Sequence, residues 1–236
     1  MRPGTPCSVH MTGDTKTVTG RAARAWKALR TTPAPVTCAL IVVCCVLFAI
    51  GPASGLDPRL VTGDPRAALT PATALFVHGS WVHLLGNMLF LYVFGAMTEQ
   101  RMGRLPFLLF YLGCGCLALL GYAVAHAASE QTLVGASGAI SAVLGAFLYL
   151  FPRARVTSVL PFLFFLPLRL PAWIVLPFWA TLQWLAAGRA GQGPGVAYLA
   201  HVIGFALGFA CAWVRYGRRT RVKPAPAPAP EGENQP

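Results

Sequence analysis

The sequence has few charged side chains, and acidic ones are the scarcest. Charged residues make up 11% of the 236 residues, and only seven residues are Asp or Glu. An ordinary soluble domain carries about 25% charged residues. Hydrophobic residues reach 56%, and several apolar runs approach the roughly 20 residues that cross a bilayer. The composition therefore excludes an ordinary soluble domain and predicts an all-α polytopic membrane protein.

Three other features are missing, and each excludes a class of protein. The seven cysteines show neither metal-ligand spacing with histidine nor the pattern of a secreted disulfide framework, so no metal site is expected. No apolar core closely follows the N-terminal charges, so we expect a retained signal anchor and no cleaved signal peptide. No repeat relates the two halves of the chain, which disfavours a transporter.

Basic residues are abundant, and their placement predicts the topology. The formal net charge is +12. If the N-terminus is cytoplasmic, all of the 19 Lys and Arg residues except Arg59, Arg66 and Arg189 fall on the inner side. Basic residues beside membrane helices contact the anionic lipid bilayer, and no basic stripe interleaved with aromatic residues suggests nucleic-acid binding. We therefore expect a multi-pass protein of the plasma membrane with both termini in the cytoplasm.

Six apolar segments predict a bundle of six transmembrane helices. They cover residues 35–51, 81–98, 105–127, 137–151, 171–187 and 196–216. The apolar stretch 156–168 contains two prolines, so we interpret it as an interfacial connection and not as a seventh span. The predicted domain is 35–216, between a basic N-terminal segment 1–34 and a Pro-Ala-rich tail 217–236, and both ends are expected to be flexible.

Polar, reactive side chains occur within these apolar segments. Ser137 opens the fourth span and His201 lies six residues into the sixth, so both are expected in the outer leaflet. His83 and Asn87 are four residues apart on the second span, on one helical face in the same leaflet. Because polar groups are costly at membrane depth, this layer is a candidate functional site.

Serine and histidine suit nucleophilic acyl transfer. Ser137 is the candidate nucleophile, and His201 the candidate base that takes its proton and returns it to the leaving amine. Asn87, His83 and the backbone of Ala136 and Ser137, at a helix N-terminus, are candidates for stabilising the oxyanion.

Small residues surround the candidate pair. Gly135 and Gly138 allow a tight turn and a close backbone approach before and after Ser137. Gly204 and Gly208 follow His201 at four-residue steps, which favours close packing of two membrane helices. Each signal also has an ordinary interpretation, since glycine faces, a lone membrane histidine and a His–Asn pair can all serve packing alone.

The combined motifs resemble the rhomboid family of intramembrane serine proteases. The matching stretches are His78-Gly-Ser-Trp-Val-His-Leu-Leu-Gly-Asn-Met, then Gly-Ala-Ser137-Gly, and then Ala-His201-x-x-Gly-x-x-x-Gly. Glu99 with Gly103, after the second span, also fits the family pattern. The resemblance covers about residues 35–216.

The resemblance implies a six-transmembrane-helix rhomboid-like bundle with a Ser137–His201 dyad. It also implies that Asn87 and His83 stabilise the oxyanion, that no acidic residue completes a catalytic triad, and that no cofactor is needed. The implied substrates are transmembrane proteins cleaved at or near the outer face. Family members often carry an aromatic residue four positions after the serine, where this chain has Ser141. We therefore expect His201 to be oriented by packing or by a neutral partner.

Two other functions stay open at the level of sequence. An inactive rhomboid-like protein would bind transmembrane clients without cutting them, although such proteins generally lack one or both of the serine and histidine. A small transporter is disfavoured by the missing repeats and by the lack of charges within the spans. The abundance of Ala, Arg, Gly and Pro indicates a high-GC bacterial source, and the oligomeric state is left open.

Overall fold

The computed structural model describes residues 34–51, 70–127, 133–160, 166–189 and 196–217. The predicted N-terminal segment and Pro-Ala tail lie outside these residues almost entirely. Most of the first predicted outer loop, with Arg59 and Arg66, also lies outside them.

The described part of the chain is mostly helical. Its elements in chain order are α1 (Pro35–Ile50), α2 (Thr70–Ala74), α3 (Trp81–Met102), α4 (Arg104–Ala125), α5 (Ser137–Leu150), β1 (Arg155–Leu160), β2 (Leu166–Pro171), α6 (Ala172–Ala187) and α7 (Tyr198–Tyr216). Within α3, Leu91–Gly95 form one π-helical stretch. The six long helices begin and end within four residues of the predicted segments.

Three of these helices, α3, α4 and α7, are long and apolar enough to cross a membrane. Helices α1, α5 and α6 are apolar but shorter, with 10–17 residues each. The chain is therefore a membrane protein by its apolar helices, while the count of six spans stays a prediction.

The connection between α5 and α6 corrects the expectation of an all-α fold. β1 and β2 form a two-stranded antiparallel hairpin in which Arg155 pairs with Pro171 and Leu160 with Leu166. The first strand is rich in β-branched residues, which favour extended backbone. Pro167 lies in the second strand, where an edge position tolerates the missing N–H. The prolines that argue against a seventh helix are thus compatible with a hairpin.

Helix α5 is the centre of the bundle. Every residue from 138 to 147 is buried, so no face of this stretch is exposed. A helix that is apolar all round is stable only when other elements enclose it, and α3, α4, α6 and α7 all contact α5. Ser137 is therefore the first residue of the most enclosed helix in the described structure.

Helix α1 begins with a carboxylate supplied by another helix. Pro35 occupies the first turn, where its missing N–H costs nothing, and no side chain of α1 caps the start. Glu99 of α3 instead accepts hydrogen bonds from Val36 N at 3.0 Å and from Thr37 N at 2.7 Å. The hydroxyl of Thr37 donates a third bond to it at 2.8 Å. This buried carboxylate joins α1 to α3 and lies at the positive end of the α1 dipole.

We expect Glu99→Gln to destabilise the fold. The amide loses the negative charge and directs N–H groups at backbone N–H groups that need an acceptor. Such a loss costs about 1–3 kcal/mol, which corresponds to a fall in melting temperature of roughly 4–8 °C for about 2 kcal/mol. Thermal unfolding of the purified protein in detergent measures the change, and an unchanged midpoint would contradict this role of Glu99.

Candidate active site

The backbone that leads into α5 is fixed by a glycine. Gly135 has φ +113°, a conformation that residues with a side chain rarely adopt. Its N–H donates to the carbonyl oxygen of Ala74 at 2.9 Å, which ties this loop to α2. Ser137 follows two residues later, half-buried, at the N-terminus of α5. The helix dipole makes this end electropositive.

His83 and Asn87 lie in the first two turns of α3. The N–H of His83 donates to the Ser80 hydroxyl at 3.2 Å, so Ser80 is the N-cap that sets the start of the helix. A Cβ at Gly135 would lie 2.7 Å from His83 Nε2 and 3.7 Å from Asn87 Nδ2. Both polar side chains are therefore close to the backbone that leads into Ser137.

A single cavity of about 550 Å³ brings the predicted residues together. Its lining includes Ser137, His201, Asn87 and His83, which come from α5, α7 and α3. The remaining lining is mostly apolar, and the cavity exceeds the roughly 30 Å³ of one water molecule many times over. These four candidate side chains, together with Ser141, surround one space that can hold a peptide segment and water.

The approach of α5 and α7 depends on glycine. A Cβ at Gly204 would collide with the carbonyl oxygen of Gly138, and a Cβ at Gly208 with that of Ala142. Gly145 meets the carbonyl of Phe205 in the same way from the other helix. Because these contacts leave no room for side chains, α5 and α7 pack backbone against backbone, which positions Ser137 and His201 on the same cavity.

Three side chains hold the imidazole of His201. Its Nδ1 lies 2.8 Å from Oε1 of Gln183 on α6. The indole of Trp179, also on α6, stacks on the ring with centroids 6.2 Å apart and planes inclined by 25°. The ring of Tyr198, one turn before His201, meets it edge-on at 6.3 Å. The expected neutral partner is therefore Gln183, and the aromatic neighbour comes from α6.

Gln183 and Trp179 do not belong to any of the motifs above, but their spacing in the sequence indicates a shared contact. The two residues are four positions apart, so they share one face of a helix. A glutamine in an apolar helix is an expensive side chain that marks a contact across helices. Which residue it contacts depends on how α6 and α7 face each other, and the sequence does not contain that information.

Ser141, the residue in place of the usual aromatic, points back to its own helix. Its hydroxyl donates to the carbonyl oxygen of Ser137 at 2.6 Å. Among the described residues, no hydrogen bond joins the Ser137 hydroxyl to His201. Catalytic hydrogen bonds are often long in unliganded sites and tighten when substrate binds.

His78 lies behind the cavity and does not line it. Its Nδ1 lies 3.3 Å from the carbonyl oxygen of Phe76, and its ring meets His83 edge-on with centroids 5.1 Å apart. Burial, with His83 beside it, lowers the pKa of His78 to about 4. A pKa near 4 leaves His78 neutral at physiological pH, and its ring contacts that of His83.

Two polar features of the described residues bear on the chemistry. The buried Nδ2 of Asn87 has no hydrogen-bond partner, so its N–H group is available to donate a hydrogen bond beside the cavity. The single carboxylate side chain in the described ranges is Glu99, about 18 Å further along α3 from Asn87 at 1.5 Å per residue. No cluster of three or more His, Cys, Asp or Glu residues in those ranges could hold a metal ion.

Comparison with known proteins matches the same part of the chain. A sequence model of the rhomboid domain matches residues 66–218. The chain is 36% identical over 142 residues to "Rhomboid protein 1, mitochondrial" of Saccharomyces cerevisiae, covering 58% of this chain and 39% of the yeast protein. It is 33% identical over 97 residues to the Bacillus subtilis protein YdcA, covering 41% of this chain and 47% of YdcA. "RHOMBOID-like protein 4" of Arabidopsis thaliana is 31% identical over 172 residues, 68% of this chain and 37% of the plant protein. The chain thus spans less than half the length of these relatives.

Proposed function

Because the chain belongs to the rhomboid family, we propose that it is a serine endopeptidase that cleaves peptide bonds in or near transmembrane segments. The observation that carries the proposal is the one cavity lined by Ser137, His201, Asn87 and His83. These side chains supply a nucleophile, a base and hydrogen-bond donors at one place in an apolar bundle.

In the proposed reaction, the Ser137 hydroxyl attacks the carbonyl carbon of the scissile bond while His201 takes its proton. The amide of Asn87, the ring of His83 and the backbone N–H groups at the start of α5 donate to the oxyanion. His201 then returns the proton to the leaving amine, and the acyl group stays on Ser137. A water molecule, activated by His201, hydrolyses the acyl-enzyme and regenerates the serine.

The proposal includes the domain limits and the topology. The catalytic domain is 35–216, it crosses the membrane six times, and both ends, 1–34 and 217–236, lie on the inner side. The distribution of basic residues supports this orientation. We further propose a bacterial plasma membrane as its location, although the relatives named above include a mitochondrial protein as well as a bacterial one.

The proposal is tested by offering the purified protein, in detergent or in liposomes, a single-span substrate with small, helix-breaking residues. We expect two products whose new ends mass spectrometry assigns to one bond in or near the span. Covalent labelling by a fluorophosphonate probe, and loss of cleavage after labelling, should accompany this activity. If a folded preparation gives neither cleavage products nor labelling, the proposal is wrong.

One observation favours a second function, that of an inactive family member that binds transmembrane clients. The Ser137 hydroxyl has no hydrogen bond to His201 among the described residues. Such a protein would retain a single-span client on an affinity column without cutting it, and the fluorophosphonate would not label it. The labelling experiment therefore separates the two functions directly.

Asn87→Ala is expected to lower kcat about 10²-fold to 10³-fold, the usual cost of removing one oxyanion donor. KM should change little, because the donor binds charge that develops only in the transition state. Since Asn87 Nδ2 has no partner in the resting site, the melting temperature should hardly fall. The effect must be smaller than that of Ser137→Ala, and a complete loss with the fold intact would contradict a supporting role.

A further inference from the structure

The contact between α6 and α7 contains a hydrogen bond to the proposed base. Gln183 is half-buried on α6, and its Oε1 lies 2.8 Å from Nδ1 of His201. The two residues are 18 positions apart on different helices, so the bond is a tertiary contact. It engages Nδ1 and leaves Nε2, the other ring nitrogen, free of this bond.

The chemistry of the two groups decides the polarity of this bond. The structure directs Oε1 of Gln183 at the ring, and an amide oxygen can only accept, so in this orientation the imidazole donates from Nδ1–H. A neutral imidazole carries one proton, so Nε2 then has the free lone pair. Which ring nitrogen is protonated is set by the hydrogen bond that the other makes. The bond to Gln183 therefore selects the tautomer in which Nε2 can act as a base.

Two aromatic side chains also restrict the rotation of the His201 imidazole. Trp179 lies one helical turn before Gln183 and stacks on the imidazole at 6.2 Å. Tyr198 meets the ring edge-on at 6.3 Å, so two aromatic surfaces and one hydrogen bond limit its rotation. Trp179 itself packs on Phe205 of α7, which ties it to the helix that carries His201.

No acid can perform this task among the described residues. Their single carboxylate is that of Glu99, and its oxygens are bonded to Val36 and Thr37 at the start of α1. A neutral amide can orient the imidazole without placing a negative charge in an apolar bundle, where it would be costly. It stabilises the protonated ring less than a carboxylate would, so its contribution is mainly to orientation and tautomer.

We propose that Gln183 is a positioning residue that selects the tautomer and orientation of His201, with Trp179 as the surface on which the ring rests. The inference rests on the proposed function, because it concerns the base of that reaction. Gln183 is not among the residues that line the cavity, so it acts through His201 and not on the substrate.

The test compares Gln183→Met with Gln183→Glu in the full-length protein. Methionine has nearly the shape of glutamine but no acceptor, so we expect kcat to fall about 10-fold to 100-fold, the cost of a misplaced catalytic group. KM should stay within about twofold to threefold, since Gln183 does not touch the cavity. Glutamate keeps an acceptor oxygen and should recover most of the lost kcat. The rate of fluorophosphonate labelling should follow kcat across the series.

Thr181→Ala is the matched control, because Thr181 is exposed on the same helix and bonds only the carbonyl oxygen of Pro177. It should leave kcat unchanged. A Gln183→Met protein at the wild-type kcat would overturn the positioning role while the proposed function stands. If Gln183→Met loses kcat and has a lower melting temperature, and Gln183→Glu does not recover kcat, the positioning role is also overturned and Gln183 is assigned to packing. A wild-type protein that neither cleaves nor labels would instead overturn the proposed function itself.

Discussion

Ser137→Ala and His201→Ala are each expected to reduce cleavage of a single-span substrate by at least about 10³-fold, since removing the nucleophile or base of a serine hydrolase can cost about 10⁶-fold. Alanine at 137 leaves no oxygen to form the acyl-enzyme. Alanine at 201 removes the proposed base that takes the serine proton and returns it to the amine. Cleavage rates in liposomes and fluorophosphonate labelling measure both losses.

Two further variants make this prediction specific. The double variant should be no slower than either single variant, because two residues that act as one unit give strongly non-additive losses. Ser141→Ala removes a hydroxyl one helical turn away that bonds the Ser137 carbonyl, and it should cost less than about tenfold. If His201→Ala keeps more than a tenth of the wild-type rate while its melting temperature is unchanged, the assignment of the base is wrong.

Gly208→Ala is expected to lower both activity and stability, although Gly208 does not line the cavity. The new Cβ would collide with the carbonyl oxygen of Ala142 and lie 2.6 Å from its Cα. Backbone cannot move aside as a side chain can, so α7 must shift away from α5. Overpacking of this kind costs typically about 1–3 kcal/mol, and a displacement of 1 Å in a catalytic group can cost about 10²-fold in rate.

We therefore expect Gly208→Ala to lower kcat at least tenfold and to lower the melting temperature. Gly113→Ala is the matched control, since Gly113 lies within the exposed face of α4 and a Cβ there would meet nothing within 4 Å. It should keep the wild-type rate and be slightly more stable, because alanine favours a helix over glycine by about 1 kcal/mol. Equal behaviour of the two alanine variants would contradict close packing as the reason for this glycine.

The positions of the helices could be predicted because hydrophobic runs and prolines are local features. The convergence of Ser137, His201, His83 and Asn87 could be predicted in outline from the depth of each residue along its helix, and the four do line one cavity. Their roles in a reaction stay predictions until the variants are measured. The hairpin Arg155–Pro171 was missed, because an apolar stretch with prolines is compatible with several extended or irregular structures.

The contacts of particular side chains could not be predicted. Glu99 fitted a family pattern, but its bonds to Val36 and Thr37 depend on how α1 sits against α3. Gln183 is similar, since helical periodicity shows that it shares a face with Trp179 but not that this face meets His201. The rotation of a helix about its own axis is set by packing across the whole bundle, and no local window of sequence records it.

The sequence by itself determined that this chain is a helical membrane protein, that its motifs resemble those of the rhomboid family, and which apolar segments hold polar residues. The resemblance follows from the motifs, and the other two properties follow from composition and from spacing along one chain. Only the tertiary structure decided which polar groups meet: the start of α5 against His83 and Asn87, and the imidazole of His201 between Gln183 and Trp179. The reason is steric. Glycines of α5 and α7 lie directly against backbone carbonyl groups of the other helix, and this close approach sets which faces of the neighbouring helices can reach the site.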